Sequence, residues 1–115
     1  MIEAELNAMA YGFEIKVLIN GKYIGIKGEK SESKRLMSTD HELAGMLSSE
    51  LKNLACLKPG KNTISINYSK LKEADKNAKV TIEIRTEEQF KQGKFAFKFE
   101  NKGKPSGQIE SVFEI

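Results

Sequence analysis

Apolar and polar residues alternate with a period of two along most of this chain, which predicts β-strands with one buried face. In residues 12–28 the apolar positions on one face are Phe13, Ile15, Val17, Ile19, Ile24 and Ile26. The pair Asn20-Gly21 interrupts this run, and Asn-Gly favours two-residue type I′ hairpins because both of its positions accept a positive φ. The sequence therefore predicts a β-hairpin here. Its expected cross-strand pairs are Ile19 with Lys22, Leu18 with Tyr23, Val17 with Ile24 and Ile15 with Ile26.

Five other segments show the same alternation and are predicted to be strands. Their inward positions are Ile2, Ala4, Leu6 and Ala8; Ile64, Ile66 and Tyr68; Val80, Ile82 and Ile84; Phe95, Phe97 and Phe99; and Ile109, Ser111, Phe113 and Ile115. The first segment has the opposite parity to Phe13, so a bulge or turn is expected near residues 10–12. The charged stretch 27–35 is predicted to be a loop, 86–93 a connector with one helical turn, and 101–107 the loop of a final hairpin.

Residues 40–55 have a helical pattern instead. Thr39 and Glu42 have the spacing of a capping box, which satisfies the first backbone N–H groups of a helix. The apolar residues that follow recur at helical spacing: Leu43, Met46, Leu47, Leu51 and Leu54. Pro59 cannot continue the helical hydrogen-bond ladder. We therefore expect one α-helix at about 40–55.

These elements together predict the architecture. Strands with one apolar and one polar face belong to antiparallel sheets that are wetted on one side. Six or seven such strands must bury their apolar faces against each other or against the helix. We expect a single domain, residues 1–115, that is mainly β: an antiparallel β-sandwich of six or seven strands with one α-helix. The alternative is an α+β fold in which an antiparallel sheet curls around that helix.

Composition and charge narrow the classes of function. Charged residues make up 30% of the chain and apolar residues 39%, which is typical of a folded soluble domain. Residues 58–104 contain 12 basic and 6 acidic side chains, and 17 of the 19 basic residues in the chain are Lys. Lys is a hydrated point charge, whereas sequence-specific recognition of nucleic acid favours Arg. This region therefore indicates weak, non-specific attraction for anionic polymers.

Several features bear on the location of the protein. No stretch approaches the roughly 18 apolar residues of a membrane-spanning helix, so no membrane association is expected. The N-terminal residues lack the basic start and apolar block of a signal peptide. Cys56 is the only cysteine, which excludes an intramolecular disulfide. Together these features indicate a cytoplasmic protein.

Side chains that commonly carry catalysis are scarce. His41 is the only histidine and is expected to face solvent in the first turn of the helix. Cys56 lies about four helical turns, or about 20 Å, from His41, which is too far for a nucleophile and its base. The sequence contains no nucleophile elbow, P-loop, dinucleotide-binding glycine motif or C-x-x-C pair. We therefore expect a non-enzymatic protein without cofactor or metal.

Two short stretches resemble a known family. INGKYIGI contains Asn20, Gly21 and Lys22, and CLKPGKNTISINY contains Leu57, Lys58, Gly60, Asn62 and Ile64. This combination resembles β-sandwich accessory domains of the galactose-binding-like type, in which an Asn-Gly-Lys hairpin precedes a strand that begins L-K-x-G-x-N-x-I. The resemblance implies a β-sandwich whose loops bind a sugar or another small molecule. Such domains often bind sugars with aromatic residues, whereas this chain has no Trp and three Tyr.

Three functions fit these observations. The first is a non-enzymatic binding or assembly module that engages a protein partner, or a second copy of the chain, through a sheet edge or the hairpin tips. The second is weak binding of nucleic acid or another anionic polymer through the lysine-rich region 58–104, and the third is a small-molecule or sugar-binding sandwich. The candidate binding residues are Asn20, Gly21, Lys22, Tyr23, Lys58, Lys61, Asn62, Lys98, Lys102 and Lys104.

Overall fold

The computed structural model describes residues 3–28, 31–38, 55–74 and 78–115. Within these ranges the chain forms nine β-strands and one short α-helix. In chain order they are β1 (Glu3–Met9), β2 (Phe13–Ile19), β3 (Lys22–Ile24), β4 (Glu32–Ser38), β5 (Ala55–Leu57), β6 (Lys61–Lys70), β7 (Thr81–Thr86), α1 (Glu87–Gln92), β8 (Phe97–Glu100) and β9 (Ser106–Glu114).

The strands form two sheets that pack face to face. One sheet has the order β5-β4-β1-β7-β8 and the other has the order β3-β2-β6-β9. Every neighbouring pair is antiparallel except β4 and β5, which are parallel. Inward-facing residues of both sheets, such as Leu6, Val17, Ile66 and Ile82, belong to one buried cluster. The predicted antiparallel two-sheet architecture is therefore confirmed, with its core between the sheets.

The nine strands of the described residues exceed the predicted six or seven because β4 and β5 were not expected. Much of β4 lies in the stretch that the sequence predicts to be a charged loop. It pairs with β1 from Glu32 to Met37, and Leu36 is its one side chain in the core cluster. The prediction failed because the buried residues of β4, Leu36 and Met37, are adjacent and so show no alternation, and the strand is held by backbone pairing with β1 and β5.

The predicted helix at about 40–55 lies outside the described residues except at its last position, and His41 lies outside them as well. The helix prediction is wrong at Ala55, which begins β5 and pairs with Met37 of β4. Cys56 and Leu57 are both buried. A short apolar run suits a strand buried on both faces as well as a helix end, so periodicity does not distinguish the two.

The hairpin between β2 and β3 is confirmed. Val17 lies opposite Ile24 and Leu18 opposite Tyr23, and Asn20 and Gly21 have φ values of 50° and 80°. The predicted pairing of Ile15 with Ile26 is not formed, because β3 ends at Ile24. Beyond it, the Glu32 carboxylate accepts hydrogen bonds from the backbone N–H groups of Lys27 and Gly28, which turns the chain towards the other sheet.

The last two strands do not form the predicted hairpin. β8 pairs with β7 in one sheet, whereas β9 pairs with β6 in the other. Residues 101–105 therefore cross between the sheets. Buried Asn101 holds this crossover, because its Oδ1 accepts from Val80 N (3.1 Å) and its Nδ2 donates to Lys104 O (2.8 Å). The alternation of residues 109–115 is the same in a hairpin and in a crossover, so the sequence does not separate them.

The three phenylalanines near β8 are less buried than predicted. Phe95 precedes the strand and is 37% exposed, so its predicted core position is wrong. Phe97 and Phe99 are half-buried at the flank of the sandwich, where β8 and β9 are both edge strands. Their rings contact the opposite sheet, with centroid distances of 6.1 Å from Phe97 to Phe113 and 5.6 Å from Phe99 to Tyr68.

The connector 86–93 contains the expected helical turn, here α1. Thr86 is its N-cap: the Gln89 N–H donates to the Thr86 hydroxyl (3.2 Å), and the Gln89 side chain accepts from the Thr86 N–H (3.0 Å). Gly93 ends it with a φ of 69°, a conformation that glycine adopts without strain. In the part of the chain that is described, no helix is long and apolar enough to cross a bilayer.

Candidate functional site

The amides of Asn20 and Asn62 join the hairpin to the loop that leads into β6. Asn20 Nδ2 donates to Cys56 O (2.7 Å) and to Asn62 Oδ1 (2.8 Å), and Asn20 Oδ1 accepts from Thr63 N (3.0 Å). Asn62 Oδ1 also accepts from Lys58 N (2.8 Å), while Asn62 Nδ2 donates to Lys58 O (2.9 Å) and Gly60 O (3.1 Å). We call Asn20 and Asn62 with these partners the asparagine cluster.

The asparagine cluster is part of the framework. Asn62 is 0% exposed, so its side chain is not on the surface that the sequence predicts. All four amide N–H bonds of Asn20 and Asn62 have acceptors within the protein. These two residues therefore hold the loops 20–23 and 58–62 together. The exposed candidates beside them are Gly21, Tyr23, Lys58 and Lys61, and Lys22 is half-buried.

The other candidate residues lie elsewhere. Lys98 is on β8 in the five-stranded sheet, 3.8 Å from carboxylate oxygens of Glu83 and Glu100. Lys102 and Lys104 are in the crossover, next to Pro105, which accepts from Lys70 N at the far end of β6. Lys58 and Lys61 lie at one end of β6, and Lys102 and Lys104 lie at the other. Because β6 runs from Lys61 to Lys70 and a strand rises about 3.3 Å per residue, the two pairs are about 30 Å apart. Lys58 and Lys61 therefore lie far from Lys102 and Lys104.

The outer edge of β9 is the longest free strand edge in the described structure. Edge strands β3, β5 and β8 have 3, 3 and 4 residues, whereas β9 has 9. Proteins commonly protect edges with short strands, prolines or lysines. Between Ser106 and Glu114 the sequence contains neither Pro nor Lys. This edge therefore lacks three common protections.

The hydrogen-bond pattern shows which backbone groups this edge offers. Ile115 and Gly60 exchange both backbone hydrogen bonds (3.0 and 3.2 Å), and Lys70 N donates to Pro105 O (2.7 Å). Residues of an antiparallel pair alternately direct their backbone groups towards the partner and away from it. Odd-numbered residues of β9 therefore face β6, and even-numbered residues face outward. The outward set is Ser106, Gln108, Glu110, Val112 and Glu114, and no described strand pairs with it.

The side chains of β9 differ between its two faces. Those of the outward set are all exposed on the solvent face, and Val112, at 56%, is the one large apolar member. On the inner face Phe113 is buried, while Ile109 and Ile115 are half-buried against the core. The edge thus combines backbone groups that pair with no described strand and an incompletely covered apolar flank.

An open depression of about 1010 Å³ lies at the end of the sandwich beside α1. Both arginines of the chain line it, Arg35 paired with Glu3 (2.9 Å) and Arg85 stacked 4.3 Å from the ring centroid of Phe90. Arg85 Nε is buried without a hydrogen-bond acceptor in the described structure. Stacking of the guanidinium explains the position of exposed Phe90 and anchors α1 on the sheet.

Groups for nucleophilic or metal chemistry do not converge within the described ranges. Cys56 is buried, and burial raises the pKa of its thiol to about 11, so it stays protonated at neutral pH. Among the residues that the structure describes, no three His, Cys, Asp or Glu side chains lie close enough to hold a metal ion.

No family model, curated protein or solved structure matches the chain. The resemblance to galactose-binding-like domains stays a hypothesis based on two short stretches. Sequence reasoning identified Asn20 and Asn62 but not the edge of β9. Alternation marks residues 109–115 as a strand, whereas its place in the sheet depends on pairing with β6, more than 40 residues earlier.

Proposed function

We propose that this protein is a non-enzymatic binding module that takes up an extended segment of a protein partner along β9. The proposal depends on one observation: the backbone groups of the outward set meet no other described strand. An extended peptide satisfies such groups by adding a strand to the sheet. Each backbone hydrogen bond contributes only about 0.5–1.5 kcal/mol net. The outward set supplies five residues whose backbone groups can each contribute such bonds.

The flank beside β9 supports this proposal. Phe97, Ile109 and Ile115 are half-buried there, and β8 lies across from β9 in the other sheet. Inward side chains of an added strand would cover this apolar surface. Burial of apolar surface contributes about 25 cal/mol per Å², so the flank adds affinity that the backbone alone does not provide.

Hydrogen exchange in the free protein tests whether the outer edge of β9 is uncovered before a partner binds. We expect the N–H groups of Ile109, Ser111 and Phe113, which face β6, to exchange slowly, and those of Glu110 and Val112 to exchange rapidly. Equal protection of both sets, measured by NMR, would mean that the outer edge is already covered, and the proposal would fail.

An array of nine-residue synthetic peptides tests binding itself. The variant Val112→Pro removes one outward N–H and leaves the hydrogen bonds to β6 intact, because proline is tolerated where the N–H faces solvent. Val112→Thr is the matched control, since it keeps the N–H and a β-branched side chain. We expect peptides that bind the wild type to bind the threonine variant equally and the proline variant at least tenfold more weakly. Equal binding to the proline variant would contradict strand addition.

A further inference from the structure

The solvent-face side chains of β9 carry charge of one sign. Its charged residues are Glu110 and Glu114, four positions apart, with Val112 between them. Opposite them on β6 lie Ser65 and Lys61. Neither glutamate has an ion pair within 4.0 Å in the described structure, even though Lys61 faces Glu114. The edge therefore offers two carboxylates in a protein whose net charge is +3.

We propose that the segment that adds to β9 is basic, with Lys or Arg at two positions four residues apart and an apolar residue midway between them. This inference rests on the proposed function. Side chains directly opposite on neighbouring strands lie about 4.5–5.5 Å apart at Cβ, which is close enough for charge pairs. The two basic residues would face Glu110 and Glu114, and the apolar residue would face Val112. The two intervening residues would lie opposite Ser111 and Phe113, point inward and cover the flank beside Phe113.

A second copy of β9 does not match this edge. Two copies that join into one sheet must pair residues of the same face, so an even-numbered residue meets an even-numbered one. A two-fold axis at Glu110 or Val112 places glutamates opposite each other, which is destabilising. An axis at Ile109 or Ser111 places Glu110 opposite Gln108 or Val112. With the axis at Glu110, Ser111 or Val112 both carboxylates stay uncompensated. With the axis at Ile109, Glu110 stays uncompensated and Glu114 lies opposite Lys104, which is in the crossover outside β9.

The test uses three end-blocked, nine-residue probe peptides of alternating Val and Thr. They differ at two solvent-face positions four residues apart, which are both Lys, both Gln or both Glu. Binding is followed by NMR shifts of the β9 amides at low and at high salt. We expect the Lys peptide to bind about tenfold more tightly than the Glu peptide at low salt, with the Gln peptide between them. Salt should reduce this difference, because the pairs are exposed.

Charge reversal in the protein completes the test. The double variant Glu110→Lys with Glu114→Lys should reverse the preference. The control, Glu14→Lys with Glu73→Lys, makes the same charge change at two exposed positions that do not line the depression beside Glu114, and it should leave the preference unaltered. If Val112→Pro abolishes binding but all three peptides bind alike, the proposed function stands and the basic partner is wrong. If none of the three peptides binds, the basic partner is again wrong, and the peptide array then decides the proposed function. Protected outward N–H groups with a dimeric solution mass would assign the edge to a second copy and overturn both.

Discussion

The asparagine cluster and the edge of β9 differ in what they leave available to a partner. In the cluster the side-chain amides of Asn20, in the hairpin turn, and Asn62, on β6, are hydrogen-bonded inside the protein, and Asn62 has no exposed surface. Along β9, residues with unremarkable side chains leave the backbone groups of the outward set without a described partner. Distinctive sequence motifs therefore mark structural requirements here, whereas the proposed binding edge arises from sheet topology.

The largest effect that distinguishes the two regions is expected at Asn62. Asn62→Ala removes one acceptor and both donors at a fully buried site, leaving Lys58 N and two backbone carbonyls without their side-chain partner. Because buried polar groups without partners cost about 1–3 kcal/mol each, we expect a loss of about 4 kcal/mol in the free energy of unfolding. Urea denaturation measures it. A loss below about 1 kcal/mol would show that the cluster is not structural.

Proline substitution sharpens the comparison within β9 itself. Ser111→Pro removes an N–H that faces Ile64 on β6, and we expect a loss of about 3 kcal/mol because the freed carbonyl is buried in the sheet. Val112→Pro, one residue further, removes only a solvent-facing N–H and should cost less than about 1 kcal/mol. Thermal or urea unfolding of the pair provides the comparison. Equal losses would contradict the conclusion that the N–H of Ser111 faces β6 and the N–H of Val112 faces outward.

A smaller effect is expected at Asn20. Asn20→Ala loses the hydrogen bonds to Cys56 and Thr63. It also puts alanine at a φ of 50°, a left-handed conformation that alanine adopts less readily than asparagine. We expect a loss of about 2 kcal/mol. Asn20→Gly loses the same hydrogen bonds but accepts this φ freely, so it should be less destabilised by about 1 kcal/mol. If the two variants have the same stability, backbone strain does not contribute at this turn.

The smallest expected effect is the pH dependence from Cys56, whose carbonyl belongs to the asparagine cluster. Burial raises the pKa of the thiol from 9.0 to about 11. Folding therefore retains a proton that the unfolded chain releases above pH 9, so this stabilising contribution is complete below pH 9 and is lost as the pH rises towards 11. Cys56→Ala should show a shallower loss of stability over this range than the wild type. Parallel pH profiles would contradict the predicted shift.

The sequence was sufficient where local signals decide the structure. Asn20-Gly21 determined the turn and the register of β2 with β3, and alternation located the core positions of β1, β6 and β7. It was not sufficient where the structure depends on pairing between strands that are far apart in the sequence. The adjacent buried residues Leu36 and Met37 do not alternate and so could not reveal β4. Nothing within residues 106–114 shows that β9 pairs with β6 and not with β8. The edge of β9 was missed for the same reason, because the position of a strand at a sheet edge depends on which strands pair with it and not on its own residues.

The pairing of β6 with β9 also affects how the chain folds. Its register joins Lys61 to Glu114 and Ile66 to Ile109, and β1 likewise pairs with two strands distant in sequence. Such non-local contacts slow folding to milliseconds or longer in β-sandwiches, because loop closure precedes the stabilising contacts. During synthesis β6 leaves the ribosome before β9, so the nascent protein exposes the edge of β6 until its final neighbour arrives. Chaperone dependence of the folding yield is the expected consequence of this topology.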